Sequence, residues 1–263
     1  MTKSWKHYLA NIFGLRQLLY LIQSIKNIFI DFFVKIQDYK EIPIIINNRN
    51  RYTFLKQLID TLRKDGYSNI IVLDNDSTYP PLLDYYNSCP AKVIFLKENL
   101  GFMALSKIDL YKKVKRNYYV YTDPDVVPIV ECPDDFLLHF YLILQRHPSV
   151  MKAGFSLKID DLPDCYEKKQ SVIIHESKFW NKKIEDNCFL APIDTTFALH
   201  RPYSRISTYR GKMVRVGYPY QLHHLPWYLD SNNLPEEEKY YIKHATIGGH
   251  WTNGDPAYGM SKK

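Results

Sequence analysis

The chain contains little glycine and few cysteines, and both shortages exclude common kinds of site. Only 10 of its 263 residues are Gly, and neither G-x-G-x-x-G nor G-x-x-x-x-G-K-[ST] occurs, so we expect no dinucleotide fingerprint and no P-loop. The four cysteines lack a C-x-x-C pair, which excludes the usual zinc spacing and a disulfide framework and favours a reducing cytoplasm. They are Cys89, Cys132, Cys165 and Cys188.

Long uncharged apolar runs and leader features are also missing. Residues 8–37 are rich in apolar residues, but Arg16, Lys26 and Asp31 interrupt them, so we expect no transmembrane helix. No small-residue cleavage site follows an apolar core near the start of the chain, so we expect no signal peptide. No zinc-finger, RRM-like or basic-zipper pattern occurs, which disfavours a nucleic-acid partner.

The formal charge of +7 indicates an anionic partner, and part of that charge lies at the start of the chain. The first 40 residues carry six basic and two acidic side chains. Their apolar residues recur at three- and four-residue steps, which predicts a helix over residues 8–37. Two interpretations stay open: a basic amphipathic segment on an anionic membrane surface, or helices packed on the rest of the chain.

From residue 41 onward, strand and helix patterns alternate. β-branched and apolar runs predict strands at 42–46, 69–73, 92–96 and 118–122, and amphipathic runs predict helices at 52–64, 81–88 and 104–114. This alternation predicts βαβ units and an α/β fold with a mostly parallel sheet flanked by helices.

The later half is less regular. It predicts a helix at 135–146, strands at 151–157, 171–175 and 193–199, and a loop-rich region over 200–263. We therefore divide the chain into an N-terminal amphipathic segment (1–40) and one α/β domain (41–263). Within that domain, residues 41–130 form a regular first half and residues 131–263 a less regular second half.

Two aspartates, Asp123 and Asp125, follow directly after the strand-forming run at 118–122. A strand that ends in two carboxylates builds a hard, oxygen-ligand site, which suits Mg²⁺ or Mn²⁺ shared with substrate phosphates. Ligands of open α/β sheets also bind at the carboxyl ends of the strands. The pair therefore indicates a metal–diphosphate site, whereas the alternative is an Asp-Pro turn after a strand.

Polar residues follow each of the other three strands, and parallel strands bring these ends together. An acidic residue after the second strand is placed to accept hydrogen bonds from a base or a ribose. Arginine can neutralise phosphate charge, and glycine lets the backbone approach a sugar closely. The predicted binding residues are Asn48, Arg49, Asp74, Asp76, Asn99, Gly101 and Asp123.

Residues 43–128 resemble the nucleotide-binding half of GT-A glycosyltransferases, particularly family 2-like bacterial enzymes. The resemblance rests on four pieces in family order: I-I-I-N-N-R at 44–49, I-V-L-D-N-D-S at 71–77, E-N-L-G at 98–101 and D-P-D at 123–125. It covers about one third of the chain. It implies a Rossmann-like GT-A fold, a nucleotide-sugar donor that is often UDP-linked, and Mn²⁺ or Mg²⁺.

The resemblance also implies individual roles. Asp74 would contact uracil, Asn48 would line the base pocket, and Asp123 and Asp125 would serve the metal and the ribose. A late histidine often contributes to such sites, which makes His250 the candidate third metal ligand, with His244 as the alternative. Asp76 replaces the family's usual glycine in the second loop.

Residues 131–263 are the half that binds the acceptor in the enzymes that this chain resembles, and they offer a candidate catalytic base. An inverting transferase needs a carboxylate that deprotonates the acceptor hydroxyl, and Asp194 stands beside two threonines at the start of a predicted strand. The alternative role for Asp194 is to cap a turn. Other candidate bases are Glu176, Glu185 and Asp186.

A histidine- and aromatic-rich stretch at 223–228 is the candidate acceptor site. Trp227 would offer an apolar face to a sugar ring, and His223 and His224 would supply hydrogen bonds. The alternative is a packed loop whose histidines are satisfied within the protein.

The predicted function is that of a metal-dependent glycosyltransferase of the hexosyltransferase type. It would move a sugar from a UDP-linked donor to a hydroxyl of a saccharide acceptor in bacterial surface polysaccharide or lipopolysaccharide synthesis. Its expected location is the cytoplasm or the cytoplasmic face of the inner membrane. The alternatives are a catalytically inactive saccharide- or membrane-binding module and a nucleotidyltransferase, although the latter lacks a glycine-rich loop after the first strand.

Overall fold

Four β-branched or aromatic segments of the first half form adjacent parallel strands. In the computed structural model, which describes residues 14–206 and 211–245, these are β1 (Ile44–Asn48), β2 (Ile70–Asp74), β3 (Lys92–Phe95) and β4 (Tyr119–Thr122). They lie in the order β3-β2-β1-β4, with Asn48 in register with Asp74. A doubly wound nucleotide-binding sheet begins with this order.

Alternation of side chains along β1 divides the core into two layers. Ile44 and Ile46 pack in the larger cluster, whereas Ile45 packs in a second cluster with Tyr119 and Tyr121. Successive side chains of a strand point to opposite faces, so both faces of β1 are buried. The helices that cover these faces and complete the described chain are α1 (Leu15–Phe33), α2 (Thr53–Lys64), α3 (Pro80–Tyr86), α4 (Leu110–Val114), α5 (Phe136–Arg146), α6 (Lys169–Ser177) and α7 (Glu236–His244).

The later strands continue the same sheet. They are β5 (Val126–Pro128), β6 (Val150–Leu157), β7 (Lys183–Glu185), β8 (Cys188–Leu190), β9 (Ala198–His200) and β10 (Lys212–His224). The full order is β3-β2-β1-β4-β9-β6-β10-β8-β7, and β5 pairs with β10. The predicted α/β fold with helices flanking a Rossmann-like sheet is confirmed, and each antiparallel pair involves a strand that comes after Thr122.

Three predictions for the later half are wrong. Residues 171–175 belong to helix α6, where Val172 and Glu176 are buried one turn apart. A short apolar run does not distinguish a strand from a buried helical turn. Residues 193–197 are not a strand, because side chains bind their backbone: Ile193 N–H contacts Met213 Sδ and Lys152 Nζ donates to the Asp194 carbonyl.

The region predicted to be loop-rich contains the longest strand that the structure describes, β10, and also helix α7. The pairing of β10 with β6 shifts register between Val216 and Gln221, where Gly217 and Pro219 interrupt the alternating pattern. Because of this interruption, the sequence shows two short alternating patterns in place of one long one, and the single bulged strand was not predicted. The other predicted elements occur within a few residues of their bounds, except that the helix at 104–114 is a 3-10 turn followed by α4.

Within the described residues, α1 is the N-terminal helix, and the part of the predicted helix before residue 14 lies outside the described chain. None of the helices described is long and apolar enough to cross a lipid bilayer. The division of the chain into a segment at 1–40 and a domain at 41–263 remains a prediction.

Candidate functional site

The carboxyl ends of β1 and β2 are joined through a half-buried tyrosine. Asn48 Nδ2 donates to the hydroxyl of Tyr86 at 2.9 Å, and that hydroxyl donates to Asp74 Oδ1 at 2.9 Å. Burial and the Asp74 charge raise the pKa of Tyr86, so the hydroxyl remains a donor. Helix α3 thus supplies a side chain that orients the two residues predicted to contact the base.

The second loop bends at Asp76, which has a φ of 64°. This left-handed conformation is the one that glycine adopts without steric cost, and Asp and Asn are among the few other residues that tolerate it. The next turn is closed by Ser77, whose backbone N–H lies 3.3 Å from Asp74 Oδ2. Asp76 therefore adopts a backbone conformation available to the glycine that the resemblance leads one to expect there.

Two asparagines hold the third loop against the first and second loops. Asn47 Nδ2 and Asn75 Nδ2 both donate to the carbonyl of Gly101, at 3.3 and 3.1 Å. Gly101 has a φ of 75°, and no atom lies within 4 Å of the position that a Cβ would take. Asn99 is exposed and accepts a bond from the Gly101 N–H. The loop therefore presents open space and backbone next to Asn75.

Asp123 follows β4 and is bound by Thr195, which precedes β9. The Thr195 hydroxyl donates to Asp123 Oδ2 at 2.5 Å, and the Asp123 N–H donates to the Thr195 carbonyl at 3.2 Å. Burial and the neighbouring Asp125 raise the pKa of Asp123 to about 8. Two carboxylates brought together in a poorly solvated place favour either a proton or a cation between them.

Asp125 lies between an arginine and a histidine. Its Oδ2 is 3.9 Å from Arg51 Nη2, and its Oδ1 is 3.8 Å from His224 Nε2. Burial lowers the pKa of His224 despite the nearby carboxylate, so its imidazole is neutral at pH 7. Oδ1 of Asp125 is buried and accepts no hydrogen bond from the described residues.

Helix α7 packs over the loop that follows β1. Arg51 forms a buried ion pair with Glu238, and its guanidinium stacks 3.6 Å from the ring centre of Tyr241. Glu237 accepts hydrogen bonds from the N–H groups of Tyr52 and Thr53 at the start of α2. A carboxylate is stabilised at a helix N-terminus, so α7 both closes the site and caps α2.

Arg49, the predicted phosphate ligand, donates from Nη1 to the His244 carbonyl at 2.6 Å, while its Nε is buried and has no partner among the described residues. The ring of His244 stacks on Tyr240. His250 lies outside the described residues, so its assignment stays a prediction.

Buried polar atoms that lack a hydrogen-bond partner among the described residues gather at this edge of the sheet. Over the region that the structure describes, more than half of such side-chain atoms belong to the end of β1, to the loop after it or to the neighbourhood of Asp125. They are Asn47 Oδ1, Asn48 Oδ1, Arg49 Nε, Asn50 Nδ2, Arg51 Nε, Asp125 Oδ1 and His224 Nδ1. Buried polar groups normally have partners, and a shared location points to a polar ligand.

Asp194 is exposed, and it directly precedes Thr195, the residue that hydrogen-bonds to Asp123. Its backbone carbonyl accepts a 3.1 Å bond from Lys152, a buried lysine whose pKa is lowered by burial to about 8. The backbone of Asp194 is therefore fixed, while its carboxylate faces solvent next to Thr195.

The alternative bases are engaged elsewhere. Glu176 is buried in a 2.5 Å ion pair with Arg215. Glu185 and Asp186 lie at the β7–β8 hairpin at the far edge of the sheet, where they pair with Arg146 and Lys183. Of the four candidate bases, Asp194 is the one that stands next to the contact between Thr195 and Asp123.

The predicted acceptor residues fall in three different environments. His223 is partly exposed and lies 3.3 Å from Asp161. His224 faces Asp125, on the donor side of the site. Trp227 is only 1% exposed, and it packs in the main core with its ring 4.6 Å from that of His224. Its face is therefore covered in this structure, because the stretch after β10 turns inward instead of lining the surface.

The oxygen donors at the end of β4 fit a hard divalent cation. Asp123 and Asp125 contribute carboxylates, and Asp125 Oδ1 is buried without a partner among the described residues. The described residues contain no group of three or more His, Cys, Asp or Glu arranged to hold a metal. Mg²⁺ and Mn²⁺ sites commonly use only one or two carboxylates plus substrate phosphates and water, so a pair is sufficient.

Four residues of this site were not predicted from the sequence: Arg51, Tyr86, Thr195 and Glu238. Arg51 carried a weak signal, since it stands two residues after Arg49 in the same polar loop. The other three reach the site from distant segments and have no local pattern.

No protein-family model matches the chain, and no curated protein sequence matches it. Among solved structures, it is similar to a crystal structure of GalNAc-T7 with UDP, GalNAc and Mn²⁺, at 13% identity and a TM-score of 0.46. It is also similar to glucosyl-3-phosphoglycerate synthase from Mycobacterium tuberculosis in complex with phosphoglyceric acid, at 14% identity and a TM-score of 0.36. These similarities cover 70% and 61% of this chain, and 43% and 57% of the two solved chains, respectively.

Proposed function

We propose that this chain is a metal-dependent glycosyltransferase that moves a hexosyl group from a UDP-sugar to a hydroxyl of a saccharide acceptor. One observation carries the proposal. The Asn48–Tyr86–Asp74 network and the Asp123–Asp125 pair lie at the carboxyl ends of neighbouring parallel strands, and Thr195, which bonds to Asp123, directly follows the exposed Asp194 in the chain.

The proposed donor site runs along the ends of β2, β1 and β4. Asp74 accepts a hydrogen bond from the N–H of the uracil ring, and Asn48 lines the base pocket. The backbone near Gly101 approaches the ribose, since no side chain stands in the way. Arg49 and Arg51 place positive charge beside the diphosphate, and the unpartnered Nε atoms of both side chains are available as donors.

Asp123 and Asp125 would hold Mn²⁺ or Mg²⁺. When bound, the cation supplies positive charge that stabilises the diphosphate leaving group. The protein contributes the orientation of the carboxylates: Thr195 fixes one oxygen of Asp123, and Arg51 lies near Oδ2 of Asp125. The hydrogen bond from Thr195 favours the ionised carboxylate of Asp123 that a cation requires.

Asp194 is the proposed general base of an inverting transfer. Its carboxylate takes the proton of the acceptor hydroxyl while that oxygen forms a bond to the anomeric carbon. The bond from the anomeric carbon to the phosphate oxygen breaks, and its electron pair leaves with UDP. His223, partly exposed near Asp161, is the proposed hydrogen-bonding contact to the acceptor.

The proposed acceptor is a saccharide, free or lipid-linked, of bacterial surface polysaccharide or lipopolysaccharide synthesis at the cytoplasmic face of the membrane. The net charge of +7 supports anionic partners of this kind.

Calorimetric titration of the full chain with UDP and with GDP, each with and without Mn²⁺, tests the donor site. We expect Mn²⁺-dependent binding of UDP that Asp125→Ala abolishes and that Asp186→Ala leaves intact, since Asp186 lies at the far edge of the sheet. Failure of both nucleotides to bind under every metal condition would refute the proposal.

The catalytic step needs a separate test. UDP release from a panel of UDP-sugars should fall at least about a hundredfold in Asp194→Asn, while UDP affinity stays unchanged, because the base acts in the transition state. Binding of UDP without turnover of any sugar in the parent chain would favour the inactive binding module.

A further inference from the structure

Helix α1 binds the rest of the protein with its polar side. Tyr20, Gln23, Asn27 and Asp31 recur every three or four residues, so they share one face of the helix. Asn27 is buried and donates to the Pro148 carbonyl at 2.6 Å, and the side chain of Gln23 supports Asn27 at 2.8 Å. The polar face is thus the docking face.

Asp31 is the centre of this contact. It forms an ion pair with the fully buried Arg201 and accepts a hydrogen bond from Tyr118. Arg201 also donates to the carbonyls of Val150 and Leu144. A buried charge needs a partner and further hydrogen bonds, and all of these are present, so the orientation of α1 is specified by polar complementarity.

The opposite side of α1 is apolar and open to solvent. Phe29, Phe32 and Phe33 are 63%, 70% and 76% exposed. The same face carries further large apolar side chains: Leu15, Leu18, Leu19, Leu21, Ile22, Ile25 and Ile28. Exposed apolar surface of this extent marks an interaction site in a soluble protein, since single exposed apolar residues are common but a continuous face is not.

The surroundings of this face are basic. Lys26 is exposed on α1, and Lys35 is exposed two residues after the helix ends. Asp31 is the only acidic residue of α1, and it is paired with Arg201, so it leaves no exposed negative charge on the helix. Positive charge next to an apolar helical face complements anionic lipid headgroups above an acyl region.

We propose that the apolar face of α1 and the basic residues beside it form a binding surface for an anionic lipid bilayer. Phe29, Phe32 and Phe33 enter the acyl boundary, while Lys26 and Lys35 contact headgroups. A second copy of the chain on this face would bring two sets of like charges together without neutralising them. This surface rests on contacts of α1 alone, so it stands or falls independently of the proposed transfer reaction.

Flotation of the full chain with vesicles tests the surface without any sugar substrate. Phosphatidylcholine vesicles containing phosphatidylglycerol should retain the parent chain, and added salt should release part of it. The triple variant F29Q/F32Q/F33Q should lower the bound fraction at least about tenfold, because three large apolar side chains leave the interface. Lys26→Gln with Lys35→Gln should weaken binding to the anionic vesicles selectively.

The matched control is F95Q/I174Q, which removes two comparably exposed apolar side chains from β3 and α6. It should bind vesicles as the parent does, and circular dichroism should show all variants folded. Absence of parent binding to anionic vesicles would overturn the proposal, as would equal loss in the control. A parent dimer that becomes monomeric in the triple variant, without vesicle binding, would assign the face to a second copy instead.

Discussion

Thr195 and Asp123 hold each other through two hydrogen bonds, one from the threonine hydroxyl to the carboxylate and one from the Asp123 N–H to the threonine carbonyl. The two residues come from different halves of the chain, one following β4 and the other preceding β9. Because β9 also pairs with β4, the contact fixes the segment before β9 next to the proposed metal ligands.

We expect Thr195→Val to weaken Mn²⁺ binding in a pH-dependent manner. The Thr195 hydroxyl stabilises the ionised form of Asp123, whose pKa burial and Asp125 raise to about 8. Its removal raises that pKa further, so more Asp123 is protonated at pH 7 and the cation must displace a proton. The Mn²⁺ affinity should fall about tenfold at pH 7 and recover as the pH rises above the new pKa.

Electron paramagnetic resonance of free Mn²⁺ measures this affinity directly. Thr196→Val is the matched control, because the neighbouring hydroxyl makes no described bond to Asp123. An affinity loss of equal size at pH 7 and pH 9 would argue that the hydroxyl acts by position and not through the ionisation of Asp123.

The Arg51–Glu238 pair should show strong coupling in a double-mutant cycle. Arg51→Met leaves Glu238 buried without its cation, and Glu238→Leu leaves Arg51 with only the more distant carboxylate of Asp125. Each single change should lower the free energy of unfolding by about 3–5 kcal/mol, and the double change should cost clearly less than their sum. Urea unfolding provides the four values, and additive effects would show that α7 does not depend on this pair.

Tyr86→Phe should weaken UDP binding although the proposal places no substrate atom on Tyr86. The change removes the hydroxyl that orients Asn48 and Asp74. We expect an affinity loss of about tenfold and a fall of about 1–2 kcal/mol in the free energy of unfolding. Tyr220→Phe, on β10 near Asp135, is the control and should leave UDP affinity unchanged. Unaltered UDP affinity in Tyr86→Phe would separate this network from the base pocket.

Glu185 should make stability depend on acidic pH. Hydrogen bonds from Arg146, and then from His147, lower its pKa from 4.5 to about 2. Because the folded-state pKa is depressed, its contribution is present above pH 4.5 and is lost as the pH falls toward 2. Glu185→Gln should therefore lower the free energy of unfolding by about 1–2 kcal/mol at pH 7, with a smaller difference at pH 4. Thermal unfolding at the two pH values measures both differences, and a constant difference would contradict the assignment.

The donor half of the site was accessible from the sequence because its signals are local. Runs such as 44–46 and 70–73 are β-branched and apolar, and the polar residue that ends each strand stands next to it in the chain. A parallel sheet then places those ends together without further information. The locations of Asp74 and Asp123 follow from these two facts, while their proposed roles await experiment.

The rest of the site depends on contacts that no local pattern records. Arg51 and Glu238 are 187 residues apart. Thr195 lies before β9, in a segment that does not belong to a strand. An exposed tryptophan ring can bind the face of a sugar, but the ring of Trp227 is buried. The same apolar aromatic surface suits both sugar binding and core packing, so the sequence does not distinguish the two roles.

The orientation of α1 illustrates the same limit. Its periodicity distinguishes an apolar face from a polar face, but it does not say which face meets the protein. Pairing of Asp31 with Arg201, which is 170 residues away, decides that question in favour of the polar face. Long-range polar complementarity overrides the usual expectation that the apolar face of a helix is buried.

Tyr118 and Asp123 stand at opposite ends of β4, one against α1 and the other in the proposed donor site. The intervening backbone is extended, so the two ends are separated by about 16 Å along the strand. With α1 resting on lipid, the Tyr118–Asp31 hydrogen bond would hold the start of β4 close to the membrane-bound helix, and the proposed donor site would lie about 16 Å further along the strand.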